Sequence, residues 1–411
     1  MYKQKSGSTR RQARSYGPAR HSPRRFSHTR PSFGRKRPQR LGAAIDVSKF
    51  INKAVITEET EHFRPDHGFG DFQIEEKLKK NITARGYEIP TPIQDRAIPH
   101  ILRGEDVVGI ADTGTGKTGA FLIPLINKVL HDRTVRVLIM VPTRELAQQI
   151  EEEFWGFALH MRIGVVTCVG GANINPQIAT LRRKPNFVIG TPGRLKDVME
   201  RRALDLSGFN TVVLDEADRM LDMGFIADMK FILSHMPSVR HTLFFSATLS
   251  RDIEKLIGAF LKNPVRISIK TRDTAQRVEQ DIVRIPSGMT KLDILEGLLR
   301  QPDFNKVLIF GRTKYGVEKL AKTLSAKGFK SASIHGNKTQ GQRERALESF
   351  KKERVQVLVA TDVAARGLDI PKVSHVINYD VPNTYEDYIH RIGRTGRAGE
   401  IGKALTFIEG R

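Results

Sequence analysis

Ala111-Asp112-Thr113-Gly114-Thr115-Gly116-Lys117-Thr118 is the segment from which the architecture of this chain can be read. It fits the phosphate-loop pattern at every position but one, because Ala111 stands where the first glycine belongs. In such a loop Gly114 and Gly116 let backbone N–H groups turn inward on phosphate oxygens. Lys117 reaches the β and γ phosphates, and Thr118 ligates Mg²⁺. The flanks agree. Residues 106–110 (DVVGI) read as a short buried strand, and residues 118–129 carry apolar side chains at helical spacing, so the loop opens a helix whose N-terminal dipole faces an anion.

Beyond the loop, strands and helices alternate. Residues 135–141 (VRVLIMV) form an apolar strand ending at Pro142-Thr143-Arg144-Glu145. The plan repeats at 163–169, which ends in Gly170-Gly171, and at 187–190, which ends in Thr191-Pro192-Gly193-Arg194. Buried runs separated by helices imply a parallel, doubly wound sheet with ligands beyond the carboxyl ends of its strands. Each polar ending alone reads equally well as a helix cap. Three in a row predict a surface for a sugar-phosphate backbone.

Residues 211–214 form a strand that delivers Asp215-Glu216-Ala217-Asp218 to the same edge as the phosphate loop. Mg²⁺-dependent nucleotide hydrolysis needs such a pair: Asp215 for the metal, and Glu216 to orient or deprotonate water. Residues 241–245 are a further strand, closing on Ser246-Ala247-Thr248, whose hydroxyls are placed to sense the metal site through Asp218. Ahead of the loop, Gln94 in the run from Glu88 to Gln94 has one acceptor and two donors for an adenine edge, and Tyr87 is positioned to stack on the base.

Residues 263–281 lose apolar periodicity and read as a linker. A second alternating unit follows, with strands near Ile282 and at 307–310, 331–334, 355–359 and 373–378. Between them lie His335-Gly336, Gln340-Gly341-Gln342-Arg343, Ala360-Thr361-Asp362 and Ala365-Arg366-Gly367-Leu368-Asp369. His390-Arg391-Ile392-Gly393-Arg394-Thr395-Gly396-Arg397 then spaces cationic side chains with glycines, which suits an anion contact.

Composition sets the outer limits. A chain of 411 residues suits two domains with extensions, and a net charge of +23 points to a polyanion. Residues 1–40 hold ten Arg, three Lys and no acidic residue, so ten plus three gives +13 of that total. Four prolines and a low apolar content predict disorder there. Tyr2, Tyr16, Phe26 and Phe33 among the arginines suit stacking on bases while phosphates are neutralised. An organelle transit peptide and a solvated tail without a partner are the rival readings. Cys168 is the single cysteine, which excludes a disulfide framework within the chain and implies a reducing compartment. No apolar run approaches the roughly 18 residues of a membrane helix.

The phosphate loop, Asp215 to Asp218, Ser246 to Thr248 and the Gln94 segment together resemble the DEAD-box family of ATP-dependent RNA helicases, and the likeness runs from about Phe69 to about Ile408. The resemblance implies two tandem RecA-like domains, α/β in class, each a parallel doubly wound sheet. The expected boundaries are a disordered basic tail at 1–60, a first domain at 61–268, a linker at 269–280 and a second domain at 281–411. It also implies ATP and Mg²⁺ as cofactors. Phe69, Tyr87 and Gln94 would take the adenine, Thr113, Gly114, Thr115, Gly116, Lys117 and Thr118 the phosphates and Asp369 the ribose. Thr118 and Asp215 would hold the metal, with Lys117, Asp215, Glu216, Arg394 and Arg397 catalytic. Thr143, Arg144, Gly171, Thr191, Arg194, Arg343, Thr361 and Arg366 would hold RNA, with Asp218, Ser246, Thr248 and His390 coupling the sites. Asp112, where Gln is usual, and Gly311-Arg312-Thr313 depart from the family pattern. The expected activity is RNA-stimulated ATP hydrolysis coupled to domain closure and local unwinding of short duplexes or ribonucleoprotein remodelling. An ATP-gated RNA clamp or assembly scaffold is the alternative. The expected protein is a cytoplasmic monomer acting on single-stranded RNA and short duplexes. Nuclear and organellar sites are the alternatives, the latter if the N-terminus is a transit peptide, and RNA targeting is expected from the tail or a partner.

Overall fold

Parallel strands buried on both faces account for the near-continuous apolar runs of the sequence. The computed structural model describes residues 50–51, 63–112, 114–269, 278–365, 370, 372–396 and 402–409.

The first lobe runs α1 (Glu76–Ala84), α2 (Pro92–Leu102), β1 (Val107–Ile110), α3 (Lys117–His131), β2 (Val137–Met140), α4 (Arg144–Phe157), β3 (Val165–Cys168) and α5 (Ile174–Leu181). It continues through β4 (Phe187–Gly190), α6 (Pro192–Glu200), β5 (Thr211–Leu214), α7 (Ala217–Asp222), α8 (Ile226–Ser234), β6 (His241–Ser246), α9 (Arg251–Phe260) and β7 (Val265–Ser268). The second lobe runs β8 (Val278–Ile285), α10 (Lys291–Leu299), β9 (Val307–Phe310), α11 (Lys314–Ala326), β10 (Ser331–Ile334) and α12 (Gln340–Lys351). It ends with β11 (Val357–Ala360), α13 (Asp362–Ala365), β12 (His375–Asn378), α14 (Tyr385–Ile392) and β13 (Gly402–Glu409).

Among the described residues the first sheet has the order β3-β4-β2-β5-β6-β1-β7 and the second β10-β11-β9-β12-β13-β8. Every pairing in both is parallel. Parallel strands bring all their carboxyl ends to one edge. In the first sheet β5, β6 and β1 are neighbours, with Leu214 opposite Phe244 and Ile110 opposite Ser246. The phosphate loop, Asp215–Asp218 and Ser246–Thr248 therefore emerge side by side, although the first lies far from the others in sequence.

Alternation along each strand divides the core into two layers. Val137, Ile139 and Phe245 face the layer containing Phe121, whereas Leu138, Met140 and Phe244 face the one containing Met220 and Ile232. Leu308 and Phe310 oppose Val307 and Ile309 in the same way in the second lobe.

The expected strands are all present, and two more join them. β7 lies within the stretch whose apolar rhythm breaks at 263 and pairs as an edge strand with β1. Its outward Arg266 is held by Glu254 at 2.7 Å, so an alternating edge reads in sequence as a charged linker. β13 is inserted between β12 and β8, inside the sheet. The second lobe begins with β8 at Val278 rather than at 281. Phe50, placed in the tail by the expected boundary at 60, is 1% exposed in the core of the second lobe. The rest of the expected tail at 1–49 and 52–60 lies outside the described residues, as do positions 270–277 of the linker. No helix among the described residues is long and apolar enough to cross a membrane.

Candidate functional site

The phosphate loop leaves β1 and enters α3 through Gly116, whose φ of +93° is left-handed. A Cβ there would also lie 2.7 Å from both Gln94 Nε2 and Thr91 Oγ1, so handedness and contact both require glycine. Gln94 is fully buried: its Oε1 accepts from the Thr91 N–H at 3.0 Å and its Nε2 donates to the Gly116 carbonyl at 3.0 Å. The amide expected to face a base thus already ties the start of α2 to the phosphate loop. Beside it lies a cavity of about 330 Å³ lined by Tyr87, Thr91 and Gln94. Tyr87 meets Phe69 edge-on at 6.0 Å and its hydroxyl donates to Glu153 at 3.3 Å. Phe69 is buried behind it in the core. Lys117 Nζ donates to the Ala111 carbonyl at 2.9 Å, Thr115 Oγ1 to the Asp112 carbonyl at 2.8 Å, and Thr118 follows in the first turn of α3.

Across the edge, β5 ends in two buried carboxylates. Asp215 Oδ1 accepts from the Glu216 N–H at 2.9 Å. Burial pushes the Asp215 pKa up to about 6 against the opposing Lys117 ammonium, with Glu216 adding to the rise. Glu216 has φ +51°, an uncommon conformation for a side-chain-bearing residue and one that clusters at functional sites. Burial works to raise its pKa too. The Arg219 guanidinium, at 2.9 Å from Glu216 Oε2, outweighs this together with Lys117 and Arg394, and holds the carboxyl below its ordinary range. Asp218 Oδ2 accepts from the Ala247 and Thr248 N–H groups at 3.0 and 3.1 Å and from Thr248 Oγ1 at 3.3 Å, while Ser246 Oγ donates to the Thr248 carbonyl. Asp218 is thus bonded directly to Ala247 and Thr248, whereas the Ser246 hydroxyl reaches Thr248 and not Asp218. Arg219 was missed by sequence reasoning; its spacing of three from Glu216 on a helix was the available signal.

From the second lobe come α14 and the turn after it. Arg394 is 3% exposed, donates through Nε to the His390 carbonyl at 3.3 Å, and its charge is felt by Glu216 in the other lobe. Arg391 holds this segment in place: it clamps Asp362 through Nε and Nη2 at 2.6 and 2.8 Å and reaches Asn378 and the Asp380 carbonyl through Nη1. Thr113, Arg366, Asp369 and Arg397 lie outside the described residues.

The residues expected on RNA divide into two groups. Thr143, Arg144, Gly171, Thr191 and Arg194 gather at the carboxyl ends of β2, β3 and β4. Thr143 Oγ1 caps α4 by accepting from the Leu146 N–H at 3.3 Å, and Arg194 Nη1 donates to Gln177 Oε1 at 2.9 Å. The Arg144 guanidinium covers Gly171, where φ is +74° and a Cβ would collide with it. In the second lobe the Thr361 carbonyl accepts from the Ala364 and Ala365 N–H groups that close α13. Arg343 is buried in an ion pair with Glu145 of the first lobe at 2.6 Å, flanked by Gln340 donating to Gln148 at 2.9 Å. No sequence signal joins residues that far apart.

Among the described residues no cluster of three or more His, Cys, Asp or Glu side chains forms a metal cage. The oxygen donors Asp215 and Thr118 fit a hard cation that keeps most of its ligands from water and phosphate.

Two family models cover the two lobes: the DEAD/DEAH box helicase domain matches residues 91–256 and the helicase conserved C-terminal domain matches 290–399. The ATP-dependent RNA helicase CshA of Listeria monocytogenes is 45% identical over 345 residues, which is 84% of this chain and 66% of that protein, so the chain spans slightly less than two thirds of that relative. The DEAD-box helicase Mss116 bound to single-stranded RNA and UDP-BeF superposes with a TM-score of 0.75 at 31% identity, covering 84% of this chain and 76% of that one. Dbp5 of S. cerevisiae bound to RNA and ADP BeF₃ gives 0.73 at 29% identity over 84% and 90% of the two chains. With both lobes matched in order and the motif residues gathered at one sheet edge, the chain belongs to the DEAD-box helicase family.

Proposed function

We propose that the chain is an ATP-dependent RNA helicase, hydrolysing ATP to ADP and phosphate when RNA is bound and using closure of its lobes to separate short duplexes or remodel ribonucleoproteins. The observation that carries this reading is the buried Glu216 at the same sheet edge as the phosphate loop, paired with Arg219 at 2.9 Å, with the charges of Lys117 and of Arg394 from the second lobe helping to hold its pKa down. A hydrolytic carboxylate answering to a guanidinium on another domain is what a closure-gated phosphoryl transfer needs.

In this reading the cavity beside Gln94 and Tyr87 takes adenine, Gly114 to Thr118 take the phosphates, and Glu216 orients the attacking water and accepts its proton. Its depressed pKa keeps it ionised at neutral pH. Thr118 and Asp215 would hold Mg²⁺, which supplies charge neutralisation at the phosphates when bound. Arg144, Arg194 and the strand-end threonines are offered to an RNA backbone, and the two RNA-bound relatives support that choice of polymer. The Arg-rich tail adds sequence-independent affinity. Deleting residues 1–40 should flatten log affinity against log salt by about 0.7 for each single-strand phosphate the tail neutralises, and an unchanged slope rejects that role. A cytoplasmic monomer is proposed with it, consistent with the single buried cysteine; sedimentation of the pure chain tests the stoichiometry. The activity is tested by steady-state ATPase with and without RNA beside strand displacement on RNA and DNA duplexes. RNA-stimulated turnover with RNA displacement supports the helicase, turnover without displacement favours an RNA clamp, and no stimulation by RNA removes both.

A further inference from the structure

Phe50 stands apart from its surroundings in the chain. Its ring is 1% exposed, whereas Ile51 beside it is 56% exposed, and the next described residue, Phe63, opens the first lobe. Phe50 is nevertheless part of the second lobe's core, with Val278, Phe310 and Ile392. Its direct partner is Tyr388, with ring centroids 4.7 Å apart and planes at 59°, a tilted aromatic pair.

Tyr388 sits in the middle of α14. It is fully buried, it stacks on Tyr385 at 5.9 Å, and its hydroxyl donates to Gln280 Oε1 on β8 at 2.9 Å. Two residues later comes His390, whose carbonyl accepts from Arg394 Nε, and three residues later Arg391, which spans Asp362, Asn378 and the Asp380 carbonyl. Arg391 also lies over the Phe310 ring at 5.1 Å, and Phe310 shares its core layer with Phe50. In a helix of eight residues, the large buried side chain at its centre has great leverage over the helix angle. Filling or emptying the space beside Tyr388 thus bears on where Arg394 points.

We propose that Phe50 is a positioning residue for Arg394: a single aromatic plug, supplied by the segment ahead of the first lobe, that seats α14 in the second. This rests on the hydrolytic reading of Glu216 and Arg394 given above. Its consequence is that sequence outside the two family domains sets the rate of the reaction between them.

The test uses the full chain. Phe50→Ala should lower RNA-saturated turnover by about fivefold or more while the KM for ATP stays within about twofold, because ground-state binding belongs to the first lobe and misplacement of a distant catalytic group falls on kcat. Hydrogen exchange should speed up over α14 and stay unchanged over β9 and β11. A synthetic peptide of residues 45–56 added to Phe50→Ala should restore turnover, and the same peptide carrying alanine at position 50 should not. Parental turnover and parental α14 exchange in Phe50→Ala overturn the proposal. So does faster exchange across the whole second lobe with no rescue by peptide, which would make Phe50 an ordinary core residue. If the parental chain shows no RNA-stimulated hydrolysis, the helicase reading fails by itself, and α14 exchange still decides whether Phe50 seats the helix.

Discussion

Replacing Arg219 with methionine removes the guanidinium from a carboxylate whose side chain is 5% exposed, while the arginine taken away is itself 3% exposed. Breaking a buried pair by deleting one member costs about 3–5 kcal/mol, because the remaining charge keeps its desolvation penalty. In a lobe of this size each kcal/mol moves the midpoint by roughly 2–4 °C, so the expected drop is about 6–20 °C. The pH dependence has a definite sign. With Arg219 present the folded pKa of Glu216 is depressed, so its stabilising contribution holds above its ordinary value of 4.5 and is lost as pH falls through the folded value. Without Arg219 the cation that does most to offset burial is gone, and the folded pKa moves up from its depressed position. The carboxylate then contributes less stability at neutral pH than it does in the parent, and the difference closes as it is protonated in acid. The deficit of Arg219→Met should be largest near pH 7 and shrink below it. Arg219→Met with Glu216→Leu should recover much of the stability, since two apolar groups leave no buried charge. Trp155, the chain's one tryptophan and a half-exposed residue of α4, reports unfolding of the first lobe by fluorescence. Either of two results would sink this argument: a midpoint for Arg219→Met within about 2 °C of the parent at pH 7, or a double variant no more stable than the single.

Other perturbations separate the remaining parts. Lys117→Ala should weaken ATP binding, whereas Glu216→Gln should bind ATP as the parent does and stall hydrolysis; parental turnover in Glu216→Gln removes it from the water site. Gln94→Ala should raise the KM for both ATP and GTP, because the Gly116 carbonyl loses its donor, and should narrow the preference for ATP; an unchanged ratio moves base recognition elsewhere. In the second lobe, buried His375, stacked on Phe304 at 3.7 Å, has its pKa lowered to about 4 chiefly by burial. The unfolded chain therefore binds the proton first, and stability present above about pH 6.5 should fall as pH drops toward 4. His375→Gln should flatten that dependence in β9 and β12 exchange, and an equal slope in the variant rejects the assignment.

Much of the fold was legible in the sequence. Parallel strands buried on both faces leave uninterrupted apolar runs, so β2, β4, β5 and β9 announce themselves. β7 and β13 did not, because alternating strands with outward charges such as Arg266 and Lys403 resemble loops. Roles tied to backbone shape, such as that of Gly116, were readable from the motif. Roles that depend on tertiary neighbours were not: the Arg343–Glu145 pair joins different lobes, the Gln94 amide is occupied by Thr91 and Gly116, and Phe50 is the one aromatic residue between Phe33 and Phe63. Periodicity is blind to a single inserted side chain.

Whether the two lobes share one catalytic site is decided at Arg394. A planar guanidinium stabilises charge on the transferring phosphoryl group in a way that an ammonium of equal charge does not. Such arginines contribute roughly 10³–10⁵ in turnover elsewhere, so Arg394→Lys in the full chain should lower RNA-saturated ATP turnover by at least about tenfold while ATP affinity stays within about twofold. Turnover equal to the parent's in saturating RNA and ATP would contradict this and show that Arg394 supplies no group to the reaction at Glu216.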